Sequence, residues 1–220
     1  MKYNIAEIFA SINGEGPFAG EPAVFVRLMG CNMRCSYCDT AWALSGAPQF
    51  VMTEDETVQK ILSYGISRVT LTGGEPLLAK NVDTLIKRIC LEKSLKLEIE
   101  TNGSIPIRPY FDIENGPVMT VDYKLPSSGC EEAMYLGNFE DVRPCDSVKF
   151  VCSGKNDLIK GLEIINRYSL RGRCNIFFSP VWGMADPKEM VAFLLENRLS
   201  DVRLALQLHK FIWDPNERGV

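Results

Sequence analysis

Gly30-Cys31-Asn32-Met33-Arg34-Cys35-Ser36-Tyr37-Cys38-Asp39-Thr40 packs three cysteines into eight residues. Thiolates this dense suit three corners of a cubane iron–sulfur cluster, which takes four cysteines when protein holds every iron. The next cysteine is Cys90, too far along the chain to be a local fourth ligand. A cluster held in this way keeps one iron open to a small molecule. Zinc is one alternative, but it favours four ligands and paired C-x2-C knuckles. This chain has one C-x2-C, Cys35 to Cys38, and a single histidine, His209. Three free structural thiols are the other alternative.

The elements around this run alternate. Residues 23–28 read as a β-rich run leading straight into the cysteines, and residues 3–12 as a strand entering Gly14-Glu15-Gly16-Pro17. Thr53 opens a Thr-x-x-Glu capping signature for a helix over 55–64. A strand over 68–71 runs into Thr72-Gly73-Gly74-Glu75-Pro76. A helix over 81–92 carries Val82, Leu85, Ile86 and Ile89 on one face. A strand over 96–100 closes in Thr101-Asn102-Gly103. Further strands are expected over 118–122, 147–151, 174–178 and 202–206, with helices over 156–168 and 187–197, and residues 207–210 read as a final strand.

Strands alternating with helices imply a parallel sheet with right-handed crossovers. A closed eight-unit barrel takes about 250 residues, more than the 220 here. The expected fold is therefore α/β, a partial, open TIM-like barrel of about six parallel strands with outer helices. It is expected to be a single domain over residues 1–220, with an N-terminal substrate-binding strand and loop and a C-terminal tail. The polar motifs fall after strand ends, where such folds keep their chemistry.

Composition narrows the function. No run of eighteen apolar residues is present, so no membrane-spanning helix is expected. The first residues lack the apolar core of a signal peptide, which points to a cytoplasmic protein. In that reducing compartment the eight cysteines speak for metal or cluster chemistry before disulfides. A net charge of −4 without a polybasic block argues against a nucleic-acid partner. The five cysteines outside the triad, Cys90, Cys130, Cys145, Cys152 and Cys174, show no compact ligand spacing.

C-x3-C-x2-C, with the aromatic Tyr37 before the third cysteine, resembles the signature of the radical S-adenosylmethionine superfamily. Thr72-Gly73-Gly74-Glu75-Pro76 resembles its glycine–glycine–glutamate–proline segment, where glycines admit close backbone approach to a ligand. Three further features, Ser11-Ile12-Asn13-Gly14-Glu15-Gly16-Pro17, Arg27 and Cys38-Asp39-Thr40, together resemble the 7-carboxy-7-deazaguanine synthase family. The resemblance spans most of the chain and is strongest over residues 7–40 and 68–103.

The resemblance implies a [4Fe–4S] cluster on Cys31, Cys35 and Cys38, S-adenosylmethionine at the open iron, and Mg2+ on the Thr40 hydroxyl. Its substrate would be 6-carboxy-5,6,7,8-tetrahydropterin, contracted with loss of ammonia to 7-carboxy-7-deazaguanine on the way to 7-deazapurines such as queuosine. Arg27 would grip the substrate carboxylate with its planar fork, and Glu15 would accept from the pterin N–H edge. The backbone of Ile12, Asn13 and Gly14 would pair with the same edge. Family members often carry glutamine at the position of Asn13, which puts a side-chain role there in doubt. Glu100 would transfer a proton, and Thr72 and His209 would face the substrate. Tyr37, Cys38, Asp39, Gly73, Gly74, Glu75, Asn102, Lys124, Ser127 and Ser128 would surround the cofactor, Asp39 also orienting waters on magnesium. A homodimer and a reducing donor such as flavodoxin or ferredoxin follow from the same resemblance.

For Arg27 a surface salt bridge, for Glu15 a solvated loop carboxylate, for Lys124 a solvated lysine and for His209 a satisfied core or surface histidine remain open. So do a different small radical enzyme, such as a glycyl-radical activase, and a non-catalytic iron–sulfur protein.

Overall fold

The computed structural model describes residues 1–220. Nine strands make one sheet in the order β3-β1-β2-β4-β5-β6-β7-β8-β9. They are β1 (Tyr3–Ile12), β2 (Pro22–Leu28), β3 (Phe50–Met52), β4 (Arg68–Gly73), β5 (Lys96–Thr101), β6 (Val118–Tyr123), β7 (Ser147–Cys152), β8 (Asn175–Pro180) and β9 (Val202–Leu204). From β2 through β9 every pairing is parallel, whereas β1 pairs antiparallel with both β2 and β3. The sheet stays open, as expected, with seven parallel strands where the sequence suggested about six. The unexpected β3 is a three-residue edge piece, too short to show an alternating pattern.

The helices are α1 (Glu54–Leu62), α2 (Val82–Cys90), the one-turn α3 (Asn138–Asp141), α4 (Lys155–Arg167), α5 (Pro187–Glu196) and the short α6 (His209–Ile212). The capping box at α1 forms on both sides, Thr53 accepting from the Glu56 N–H and Glu56 accepting from Thr53. Val82, Leu85, Ile86 and Ile89 of α2 are buried. Residues 207–210 are not a strand. β9 stops at Leu204, the Leu208 N–H bonds the Gly14 carbonyl at 2.9 Å, and the donors of Lys210 and Phe211 turn back onto Gln207 and Leu208. Tied to the distant Gly14 loop, the chain leaves the sheet direction and winds into α6.

Strand alternation separates two faces. Val24, Val26, Val69, Leu71, Ile99, Met119, Val121, Val148, Phe150 and Phe178 are completely buried, on the side where the helices pack. Most of the intervening positions are polar, among them Arg27, Thr70, Thr72, Glu98, Glu100, Thr120, Asp122, Ser147 and Lys149. Parallel strands covered on both faces normally read as unbroken apolar runs. Here the inner, concave face is a polar lumen. No helix is long and apolar enough to cross a membrane.

Candidate active site

The cysteine loop leaves β2 at Gly30, whose φ of +92° suits glycine. Gly74 fits beneath it without a side chain: a Cβ there would run into the Gly30 carbonyl and lie 2.7 Å from Cys31 Cβ. Glu75 N–H then donates to the Gly30 carbonyl at 2.9 Å. The Gly73-Gly74 pair is thus where the end of β4 and the cysteine loop touch backbone to backbone.

Cys31, Cys35 and Cys38 are free and partly exposed. No three His, Cys, Asp or Glu side chains gather as ligands of one metal ion; in a cubane cluster each thiolate takes its own iron. The Cys31 sulfur accepts from the Met33 N–H at 3.3 Å and from Asn102 Nδ2 at 3.5 Å; such donors tune cluster thiolates. Burial pushes the Cys35 thiol up to about 11 against the opposing charge of Lys124. The donor set and its hydrogen bonds fit a [4Fe–4S] cluster. Tyr37 anchors the loop by donating to the Val151 carbonyl at 3.2 Å.

Glu75, Asn102 and the two serines face inward more than their sequence positions suggest. Glu75 is 1% exposed, and both its oxygens are taken by Leu77 N–H, Asn102 N–H and the Thr101 hydroxyl at 2.6–2.9 Å. Burial pushes its carboxyl up to about 7 against those donors. It braces the β4 turn against the end of β5. Ser128 is buried and donates to the Leu125 carbonyl, and Ser127 donates to Asp157. Their hydroxyls are spent within the protein, while the backbone carbonyls of both residues receive the Ser36 hydroxyl and N–H.

Across the lumen runs a chain of alternating charges. Glu15 Oε1 is 2.7 Å from Lys149 Nζ, Lys149 Nζ is 3.4 Å from Asp122 Oδ1, and Asp122 Oδ2 is 2.8 Å from Lys124 Nζ. Ser179 donates to the other Glu15 oxygen at 2.8 Å. Neither Glu15 nor Lys124 is therefore the solvated side chain that the sequence left open. Burial would raise Asp122, but the two lysines hold it below the usual carboxylate range. Glu100 accepts from the Thr72 hydroxyl at 3.0 Å. Burial raises its carboxyl despite Lys149, and Glu15 and Asp122 add to the rise.

Arg27 is not a plain surface pair. Its Nε donates to Glu7 at 2.7 Å with both side chains less than one-fifth exposed. His209 packs its ring directly on Gly14, and burial lowers its pKa. Asp39 pairs with Lys210 at 3.1 Å, and Thr40 Oγ1 lies 3.7 Å from Cys38 Sγ. In the Gly14 loop the Asn13 N–H and carbonyl are already bonded to Glu21 and Gly20, and the Gly14 carbonyl to Leu208. The backbone pairing suggested for these residues is largely committed inside the protein. Asn13 is 3% exposed, and its Nδ2 has no hydrogen-bond partner, nor do Ser11 Oγ and Ser147 Oγ, while Asp122 Oδ1 has only the Lys149 ammonium at 3.4 Å. Buried polar atoms without partners are uncommon.

Sequence reasoning missed Lys149, Asp122, Ser179 and Glu98. The available signal was a charge inside an otherwise apolar strand, as in Ser147-Val148-Lys149-Phe150-Val151.

Residues 26–121 match the model of the Radical SAM superfamily. The chain is 44% identical to the 7-carboxy-7-deazaguanine synthase of Clostridium acetobutylicum, the match covering all of both chains. It is 38% identical to the enzyme of the same name from Chlorobaculum tepidum, over 99% of this chain and 97% of that one. The crystal structure of QueE from Escherichia coli superposes with a TM-score of 0.71 over 94% of each chain at 22% identity. Streptococcus suis SuiB, bound to precursor peptide SuiA, superposes with a TM-score of 0.58 over 81% of this chain and 46% of that one, at 12% identity. Both structural likenesses speak to the fold alone.

Proposed function

We infer the activity from one premise: the chain belongs to the 7-carboxy-7-deazaguanine synthase family of radical S-adenosylmethionine enzymes. It is a lyase of that superfamily, acting on a small molecule with a [4Fe–4S] cluster and S-adenosylmethionine. Its substrate is 6-carboxy-5,6,7,8-tetrahydropterin, and its products are 7-carboxy-7-deazaguanine and ammonia. Bound together, the cluster and S-adenosylmethionine supply the radical chemistry that starts at C6 of the pterin.

The chain's own residues do the rest. Cys31, Cys35 and Cys38 would hold the cluster, and Asn102 would tune it through the Cys31 sulfur. Tyr37 and Lys124 stand behind the cysteine loop, and Gly73, Gly74 and Glu75, which meet that loop at the end of β4, would line the cofactor. Arg27 keeps its terminal nitrogens for the substrate carboxylate while Glu7 holds its Nε. Glu15 accepts from the guanidine-like N–H edge. Glu100, whose carboxyl burial raises above the usual carboxylate range beside Thr72, is the group placed to pass a proton as a general acid–base. His209, neutral in its packed position, closes the Gly14 side. Thr40 offers Mg2+ a hard oxygen ligand, with Asp39 beside it. The single domain works in the cytoplasm as a homodimer with a flavodoxin- or ferredoxin-type donor.

The observation that carries this reading is the polar face of the sheet, which carries Arg27, Thr72 with its partner Glu100, and the Lys149 that meets Glu15. Anaerobic turnover of reconstituted protein with reductant, S-adenosylmethionine, magnesium and the pterin tests it. Mass spectrometry should find 7-carboxy-7-deazaguanine, and Cys35→Ala should abolish it. Formation of 5′-deoxyadenosine without that product would move the assignment to another substrate.

A further inference from the structure

We propose that Lys149 is a positioning residue that presets Glu15 for the N–H-rich edge of the substrate, clamping one carboxylate oxygen while Ser179 clamps the other. The proposal rests on the substrate reading above and deepens it. Glu15 sits in a glycine-bounded turn, with Gly16 at a φ of +81°, and carries no strand pairing of its own. Such a side chain loses considerable rotamer freedom when it must hold one pose. Its two clamps come from far along the chain, 134 and 164 residues away, on β7 and β8. Both strands are paired on both sides within the sheet, with Val151 opposite Ser179 and Lys149 opposite Asp122.

A plainer account would make Lys149 a counter-ion for Asp122. The distances favour Glu15. Asp122 already has Lys124 at 2.8 Å, and Lys149 stands off from it at 3.4 Å, outside good hydrogen-bond geometry, while it meets Glu15 at 2.7 Å. Lys149 is 6% exposed, so this is a desolvated, charge-assisted contact of the strong kind. Each Glu15 oxygen accepts one clamp and retains a lone pair. That leaves two parallel acceptors of fixed spacing, which matches adjacent N–H donors of a guanidine-like ring edge. Preorganisation of this type improves binding by removing ordering costs at the moment of association.

The test uses reconstituted holoenzyme carrying Lys149→Met, Lys149→Arg or Ser179→Ala. Steady-state KM and kcat are measured with 6-carboxytetrahydropterin, and equilibrium binding of 7-carboxy-7-deazaguanine by anaerobic calorimetry. Iron content and circular dichroism check loading and folding. K149M should raise KM and the product Kd by about tenfold or more, the loss of one charge-assisted hydrogen bond on Glu15. kcat should change far less. K149R should recover most of the binding, and S179A should weaken it by about threefold, the cost of a neutral hydrogen bond. An unchanged KM and Kd in K149M, or K149R as damaged as K149M, overturns the proposal. If K149M does not load its cluster, S179A decides: binding as tight as in the parent enzyme overturns it. A parent enzyme that cleaves S-adenosylmethionine but neither turns over the pterin nor binds the product overturns the substrate reading itself, and this proposal with it.

Discussion

Glu98 lies on the inner face of β5, 3% exposed, accepting from the Thr120 hydroxyl at 2.7 Å. Burial first, and the neighbouring Glu100 charge second, push its carboxyl from 4.5 up to about 7. In that interval the folded chain binds more protons than the unfolded one, so stability falls as pH rises. The contribution is whole below 4.5, shrinks through the interval and is gone above about 7. Glu98→Gln keeps an acceptor for Thr120 and removes the titration. Between pH 5.5 and 8 the melting temperature of the parent chain should fall further than that of E98Q. The difference should be about 5 °C, from about 1.4 kcal/mol per pH unit over the titrating range. Parallel declines in the two proteins would show that Glu98 stays ionised. At this scale the cysteine triad was legible because its ligands are near neighbours in sequence. The raised carboxyls were not, because burial and opposing charges come from other strands.

Among elements, local chemistry was the easiest to read. Thr53 and Glu56 cap α1 with contacts three residues apart, and the α2 stripe recurs at helical spacing. The segment over 207–210 was misread as a strand because its course depends on the Leu208–Gly14 hydrogen bond, which no local pattern announces. The Gly73-Gly74 turn joins both kinds of evidence. Its glycines were visible, but the reason for Gly74 is the cysteine loop lying on it. Gly74→Ala should force the Gly30 carbonyl and Cys31 away. Iron bound per chain after reconstitution should drop at least several-fold, while far-UV circular dichroism keeps the parent's shape, since the clash is confined to one loop. Full iron loading in G74A would mean that the loop shifts without losing its ligand geometry.

The whole molecule rests on one apolar layer between sheet and helices. Phe150 is fully buried at its centre, its ring 5.3 Å from Phe178 and 5.9 Å from Tyr123. Phe150→Ala should cost about 3–5 kcal/mol, a transfer loss plus the cavity left behind. The urea midpoint should fall with little change in slope; a shift worth less than 1 kcal/mol would mean that the core closes around the gap. Because the opposite face of the same strands is a polar lumen, stability and chemistry occupy alternate residues. Sequence alone determined the main alternation of strands and helices, though not β3, α3 or α6, and with it the open parallel architecture, the cluster-binding run and the turns that follow strand ends. These depend on spacing, periodicity and turn chemistry between neighbours. Only the tertiary structure decided that Glu15, Lys149, Asp122 and Lys124 form one chain of charges and that Glu75 is a buried brace. Those relations join residues that stand far apart along the chain. Sheet register brings them together, and burial then sets their charge.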